Sequence, residues 1–384
     1  MTKQNVIDIY ALAYGGMGIG KIDGKIYFIE GALPGERVSF TLDNEKKRFI
    51  RGKVKDILTV SKHRAKPICP YYGKCGGCQY QHLKYEEELA AKAEQVRELL
   101  KRIGGLEEYN FAGITPSSFH YGYRSSITVH KAAKGYGYFS KDNQTIIPID
   151  RCALAVEPIN DTIRSFSDLD KKKDVTLKHD NAGNVWISGR SGHRFFKDNF
   201  LETDITSSPL AFSQVNRQVT LSMLEVLRAW AKEDKEDVLF DLYCGIGFFG
   251  ILMRDMFKSV IGIDENSVAI DCAKATKKDL KSANLKFYLG NCDIDIPNYY
   301  ERLYGKTNVI VIDPPRSGIN KRLIEFLSSK KDFNRLFYVS CDPATLARDS
   351  KILIQDTKWK LDRIACFDMF PRTKYVESLA FFRR

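Results

Sequence analysis

From residue 206 onward the chain alternates short apolar runs with helical stretches, and no other feature limits its fold as tightly. The runs cover 238–243, 260–263, 309–312 and 336–339. Each stops in small, polar or proline residues, as a parallel strand buried on both faces does where it opens into a functional loop. Strands joined through helices imply an α/β doubly wound sheet, and ligands in such sheets sit beyond the carboxyl ends of the strands. Those four ends are where the chemistry is to be sought.

The first run closes on Asp241-Leu242-Tyr243-Cys244-Gly245-Ile246-Gly247, ahead of a predicted helix. Its glycines let the backbone turn tightly against a ligand. With Gly250 they also satisfy the dinucleotide pattern G-x-G-x-x-G. An acid four residues before the first glycine is more typical of methyltransferases, and Asp241 supplies it. Asp264 ends the second run, about 20 residues on, where an acid bonds ribose hydroxyls. Glu265 or Asn266 could serve the alternative role of a helix N-terminal group. The pair points to an adenosine-containing cofactor and leaves S-adenosylmethionine and a nicotinamide dinucleotide both open.

Two later strand ends carry reactive groups. Ile312-Asp313-Pro314-Pro315-Arg316-Ser317-Gly318 places an acid before a proline pair, whose fixed φ and missing N–H groups make a rigid rim. Val339-Ser340-Cys341-Asp342-Pro343 places a thiol at the end of a buried strand. A lone cysteine is ordinarily a buried core residue; the strand-end position makes this one a candidate nucleophile. A thiol has a specific use in methyl transfer to uracil, because carbon 5 is too weak a nucleophile until a thiolate adds at carbon 6. A base must then remove the carbon-5 proton so that the thiol can leave. Glu377 meets that need, opening a last strand predicted over 375–381 after the turn at Pro371. An amino-group methyltransferase also fits the Asp-Pro-Pro run, but such enzymes set an aromatic beside the proline pair, where this chain has Arg316.

Residues 1–60 read as short strands with glycine-rich turns, including a strand over 25–29 and another over 37–42, which suits a small β-barrel. Residues 46–66 hold nine Lys or Arg against one acid, Asp56, a density suited to phosphate contacts. The net charge of +12 favours an anionic partner, and nucleic acid is the commonest. The stretch 61–205 contains a predicted helix over 84–103, stopped by Gly104-Gly105, and strand-like runs over 125–130 and 137–139. No stretch reaches the ~18 uncharged apolar residues of a membrane span, and no secretory signal opens the chain, so a soluble, cytoplasmic protein is expected. Nine cysteines in such a chain argue for metal binding or catalysis rather than disulfides.

Three of those cysteines, Cys69, Cys75 and Cys78, fall in a C-x5-C-x2-C pattern, with Cys152 far downstream. Four thiolates can hold a 4Fe–4S cluster or a zinc ion, and His82 could replace Cys152 as fourth ligand. Three thiols within ten residues and the room left by Gly76-Gly77 favour a real site; the spacing alone does not choose the metal.

In this order, the stretches 241–247, 313–318, 340–343 and 370–377 resemble the RNA uracil-C5 methyltransferases. Phe212-Ser213-Gln214-Val215-Asn216 is similar to that family's F-x-Q-x-N segment. Along the whole chain, the resemblance implies three domains. Residues 1–60 would be a TRAM-like RNA-binding β-barrel and 61–205 an α+β central domain carrying an iron–sulfur cluster. Residues 206–384 would be a class I S-adenosylmethionine-dependent methyltransferase domain with a Rossmann-like sheet. Carried over by position, Cys341 is the nucleophile and Glu377 the proton-abstracting base. Gln214, Tyr243, Asp264 and Asp313 contact S-adenosylmethionine or shape its pocket, and Asp313 also bonds the target uracil. Cys69, Cys75, Cys78 and Cys152 hold a structural 4Fe–4S cluster. The chain departs from the family pattern at Asn291, where many methyltransferases set an acid near the adenine, and at Tyr375, where the family often has His. The expected substrate is RNA, 23S rRNA ahead of transfer RNA, acted on by a monomer. A fold that binds RNA without catalysis is the competing reading.

Overall fold

The computed structural model describes residues 5–45, 49–165, 173–188, 195–300, 308–355 and 358–384. At its N-terminus, strands β1 (Val6–Leu12), β2 (Gly18–Ile22), β3 (Lys25–Glu30), β4 (Arg37–Glu45) and β5 (Phe49–Thr59) close into a barrel in the order β1-β2-β3-β5-β4. Ile7, Ile9, Ile29, Val38 and Phe40 fill it. A Cβ on Gly20 would stand 2.4 Å from Ile7 Cδ1, so only glycine lets β1 and β2 approach this closely. The expected barrel is therefore present. Of the basic run, Arg51, Lys53 and Lys55 lie exposed along β5, whereas 46–48 lie outside the described residues. Arg64 is spent internally, its guanidinium clamping buried Glu36 at 2.6 and 2.8 Å.

Helix α1 (Tyr85–Leu99) follows and widens into a looser turn over Leu100–Gly104. Gly105, at φ 67°, ends it by donating to Lys101 O at 3.0 Å, as the glycine pair predicts. Strand β6 (Asn110–Thr115) comes next. Then β7 (Ser126–Lys131), β8 (Tyr136–Phe139), β9 (Ile146–Pro148), helix α2 (Glu157–Ser165), β10 (Asp174–His179) and β11 (Val185–Ile187) build a sheet of order β11-β10-β7-β8-β9. Ile159 and Ile163 of α2 pack on its Ile127, Val129, Val175 and Leu177. Strands β12 (Phe196–Phe200) and β13 (Thr203–Ser207) form a ribbon beyond it.

The C-terminal part runs α3 (Arg217–Ala231), β14 (Asp234–Leu242), α4 (Phe248–Leu252), β15 (Phe257–Asp264), α5 (Ser267–Asp279), β16 (Leu285–Leu289) and α6 (Cys292–Tyr300). It continues with β17 (Asn308–Ile312), α7 (Lys321–Ser329), β18 (Phe333–Ser340), α8 (Pro343–Gln355), β19 (Lys360–Phe367) and β20 (Glu377–Arg383). The sheet order is β16-β15-β14-β17-β18-β20-β19-β6, and β20 is antiparallel to both of its neighbours. All four apolar runs lie inside these strands apart from Tyr243, the first residue after β14; the last strand starts at Glu377, leaving Tyr375 in the preceding turn. Helices cover both faces, α3, α4 and α5 on one and α1, α6, α7 and α8 on the other, which is why the central strands are apolar throughout. Asn216, Asn266 and Asn320 cap α3, α5 and α7 with side chains that accept from the helix backbone. The edge strand β6 comes from the 61–205 stretch and pairs parallel to β19. No described helix is long and apolar enough to cross a membrane.

Candidate active site

From β14 the chain passes to β15 and β16 on one side, then returns to β17 on the other. That reversal opens a crevice past the ends of β14 and β17, where Leu242 pairs with Ile312 and Asp313 donates its N–H to Leu242 O at 3.3 Å. The glycine turn lines this crevice, with Tyr243, Gly245 and Gly247 at φ 58°, 53° and 80°. A Cβ on Gly247 would meet Phe287 at 2.8 Å. Buried Asp241 holds the turn: Oδ2 accepts the Gly250 N–H at 2.9 Å, while Oδ1 has no partner. Asp264 accepts the N–H of Gly245 and of Asn266, each at 2.8 Å, so its carboxylate joins the two loops. The Tyr243 hydroxyl donates to Asp293 Oδ1 at 2.7 Å.

A cavity of about 50 Å³ lies here, and Phe212, Gln214, Tyr243, Gly245, Phe248 and Asp313 are among its walls. Three of the four expected cofactor residues thus share one cavity, with Asp264 one hydrogen bond behind it at Gly245. Asn216, from the same motif as Gln214, caps α3 and donates to Ser117 Oγ at 3.0 Å. Asn291 accepts the Asp293 N–H at 3.0 Å, so its side chain organises the start of α6.

The second part of the site follows from strand register. Ser340 pairs with Ser378 across antiparallel β18 and β20, which sets Cys341 opposite Glu377. Such cross-strand neighbours have Cβ atoms roughly 5 Å apart. Arg316 lies 4.3 Å from the Tyr375 ring centre, donates to its hydroxyl at 3.1 Å and faces the Cys341 thiol. Burial governs the titration of this group. It pushes the Cys341 thiol up to about 11, reinforced by Glu377 and opposed by Arg316. Burial and then Asp313 hold the Glu377 carboxyl well above the usual range. Asp313 and Asp241 are each pushed up to about 7, burial again the main cause. Near neutral pH the free site therefore keeps its thiol protonated.

The motifs did not assign Arg316 a role, although it stands directly after the proline pair. They gave no sign of Tyr14 either. This residue, in the turn between β1 and β2, has a buried hydroxyl without a partner, and Asp342, Tyr375 and Cys341 lie near enough to raise its pKa. The barrel thus reaches the cleft.

Cys69, Cys75, Cys78 and Cys152 all line a separate cavity of about 60 Å³. All four are free thiols. Burial and then the neighbouring thiols push Cys75 up, and the Gly77 N–H donates to its Sγ at 3.4 Å. His82 is not among the described walls of that cavity, and its Nδ1 bonds the Tyr72 hydroxyl at 2.6 Å. Among the described residues no group of three or more His, Cys, Asp or Glu side chains is arranged around a single ion. The four thiols line one common space.

Comparison with known proteins agrees with this geometry. The family profile described as tRNA (Uracil-5-)-methyltransferase matches residues 205–384, and the TRAM domain profile matches 6–55. A 23S rRNA (uracil(1939)-C(5))-methyltransferase of Aliivibrio fischeri is 31% identical over 100% of this chain and 97% of its own. A protein of that description from Vibrio parahaemolyticus is 29% identical over 100% of this chain and 97% of its own. The crystal structure of Pyrococcus abyssi tRNA (uracil-54, C5)-methyltransferase with S-adenosyl-L-homocysteine superposes with a TM-score of 0.73. It covers 98% of this chain and 100% of that one at 22% identity. From the barrel, the crevice and the full-length likeness together, the chain belongs to the S-adenosylmethionine-dependent RNA uracil-C5 methyltransferase family.

Proposed function

We propose that this protein methylates carbon 5 of a uridine in 23S rRNA through a covalent adduct on Cys341, with Glu377 as the base. The observation that carries the reading is the β18–β20 register, which sets a thiol opposite a carboxyl at the mouth of the crevice. The relatives from Aliivibrio and Vibrio, named for 23S rRNA, favour that target over transfer RNA.

S-adenosylmethionine, when bound in the cavity walled by Gln214, Tyr243 and Asp313, supplies an electrophilic methyl group on a sulfonium. The target uracil must leave its stack to enter the cleft. Sγ of Cys341 gives up its proton to solvent and, as thiolate, bonds to carbon 6, and the C5–C6 π pair moves onto carbon 5 and O4 as an enolate. Arg316, facing the thiol, stabilises the thiolate. The enolate pair on carbon 5 would take the methyl as its bond to sulfur breaks, that bond's pair staying on sulfur and leaving the neutral thioether S-adenosylhomocysteine. The Glu377 carboxylate then removes the carbon-5 proton, the pair left behind restores the C5–C6 bond, and Sγ departs as thiolate. One methyl enters and one proton leaves. Asp313, between the cofactor cavity and Glu377, bonds the target base. Cys69, Cys75, Cys78 and Cys152 would hold a 4Fe–4S cluster that ties two distant stretches of chain together; methyl transfer moves no electrons, so its role is structural.

Three working parts follow, a barrel over 1–60, a cysteine-bearing part over 61–205 and a catalytic part over 206–384. The protein would act as a monomer, and the substrate implies the cytoplasm. The test is transfer of labelled methyl to 23S rRNA and transfer RNA from cells lacking the protein. Label should enter 23S rRNA with the unaltered protein and vanish with Cys341→Ala. Full activity of Cys341→Ala would overturn the mechanism, and label confined to transfer RNA would overturn the target.

A further inference from the structure

Gln79 directly follows Cys78 and joins the cysteine site to the catalytic base. Its Nε2 donates to Gly76 O at 2.8 Å, inside the loop between Cys75 and Cys78. Its Oε1 accepts the Lys374 N–H at 2.9 Å. Its own N–H and that of Tyr80 both donate to Arg372 O, at 2.9 and 3.0 Å. Its carbonyl accepts from the hydroxyl of Tyr72, which lies between Cys69 and Cys75, at 2.9 Å. One residue thus binds both arms of the cysteine loop to 372–374, the turn that leads into Glu377.

That turn needs holding. Arg372 sits at φ 68°, a conformation a side chain of this size rarely adopts without support. Helix α1 supplies part of it: Glu88 accepts the Arg372 N–H at 2.7 Å, and Lys92 donates to Asp368 at 2.7 Å and to Phe370 O at 3.1 Å. Tyr123 donates to Pro371 O at 3.1 Å. Gln79 is the link that comes from the cysteine loop.

We propose that Gln79 is a positioning residue for the proton-abstraction step. It fixes the 372–374 turn so that Glu377 faces the carbon-5 proton, and it makes the order of the cysteine site felt at the base. The proposal rests on the roles given above to Cys341 and Glu377. The two chemical steps should respond differently. Cys341 directly follows β18, which lies between β17 and β20 in the sheet, so the turn reaches attack on carbon 6 only indirectly, through Tyr375 and Arg316. Proton removal requires the carboxylate within hydrogen-bond reach, and a displacement of about 1 Å can cost up to ~100-fold.

The test uses anaerobically purified full-length protein as Gln79→Leu, which loses both side-chain bonds, and Gln79→Glu, which keeps the acceptor for Lys374. Single-turnover reactions with rRNA follow formation and decay of the covalent adduct. Amide exchange across 372–374 is read separately without RNA. Gln79→Leu should form adduct within about threefold of the unaltered rate, yet release it at least ~10-fold more slowly. Its 372–374 amides should exchange faster, and Gln79→Glu should recover part of both effects. Equal slowing of formation and decay, or unchanged exchange at 372–374, would overturn the proposal. Failure of Glu377→Gln to accumulate adduct would instead overturn the underlying assignment of the base, and the proposal with it.

Discussion

Cys341 should be a slow thiol in the free protein. Burial, reinforced by Glu377, lifts it from an ordinary 9.0 to about 11. Near pH 8 that leaves about 0.1% thiolate, against about 10% for an unperturbed thiol, a deficit of roughly 100-fold. Each thiolate is more nucleophilic for its higher pKa, by roughly tenfold at a Brønsted slope of ~0.4–0.5. Iodoacetamide should therefore modify Cys341 about tenfold more slowly than a small unperturbed thiol near pH 8. The rate should climb about tenfold per pH unit until about pH 10. Arg316 opposes the upward shift, so Arg316→Met should slow alkylation further throughout that range. Mass spectrometry of the tryptic peptide 336–348, which contains Cys341 as its one cysteine, isolates this residue from the other eight. Modification at the rate of a free thiol near pH 7.5, or acceleration by Arg316→Met, would refute the reasoning. The consequence for function is that the free protein holds the thiol neutral near neutral pH.

Lys92 is fully buried between Glu88 and Asp368, each at 2.7 Å. Lys92→Met would strand two buried carboxyl groups at a cost of ~3–5 kcal/mol. At about 2–4 °C per kcal/mol, the catalytic part should melt ~6–20 °C lower in calorimetry, and a shift under about 2 °C would contradict the clamp. Asp313 is raised in the folded chain to about 7 from an ordinary 3.8. The native state then holds a proton that the unfolded chain has lost, so this stabilisation is complete below the lower value and gone above the higher. The Tm of Asp313→Asn minus that of the unaltered protein should accordingly rise between about pH 4 and pH 7 and level off beyond; a flat difference would count against the shift. Anaerobic protein should be brown, with iron, sulfide and broad violet absorbance that Cys75→Ser or Cys152→Ser removes. Stoichiometric zinc without iron or sulfide would defeat the cluster assignment.

What the sequence made legible was what local pattern can carry. The cores of β14, β15, β17 and β18 are apolar because both faces are covered, and their ends showed where the crevice opens. The edge strands β6 and β16 went unrecognised, since half-buried NFAGIT and LKFYL carry no such unbroken run. Residue type and family position named Cys341 and Glu377, but their meeting depends on a register between strands 36 residues apart at those positions. Tyr14 and Gln79 were beyond reach for the same reason, because each acts across contacts distant in sequence. Asp264 and Asn291 show what position alone does not give: the carboxylate of the one accepts from the glycine turn, and the amide oxygen of the other accepts from the start of α6.

The central claim is that Cys341 and Glu377 act as attacking and releasing partners, and Glu377→Gln tests it most directly. Incubated with S-adenosylmethionine and 23S rRNA, the variant should accumulate a denaturant-resistant protein–RNA adduct. Digestion and mass spectrometry should locate it on Cys341, carrying a 5-methylated, 6-linked uracil. An adduct on another residue, or free 5-methyluridine released at the unaltered rate, would contradict the account.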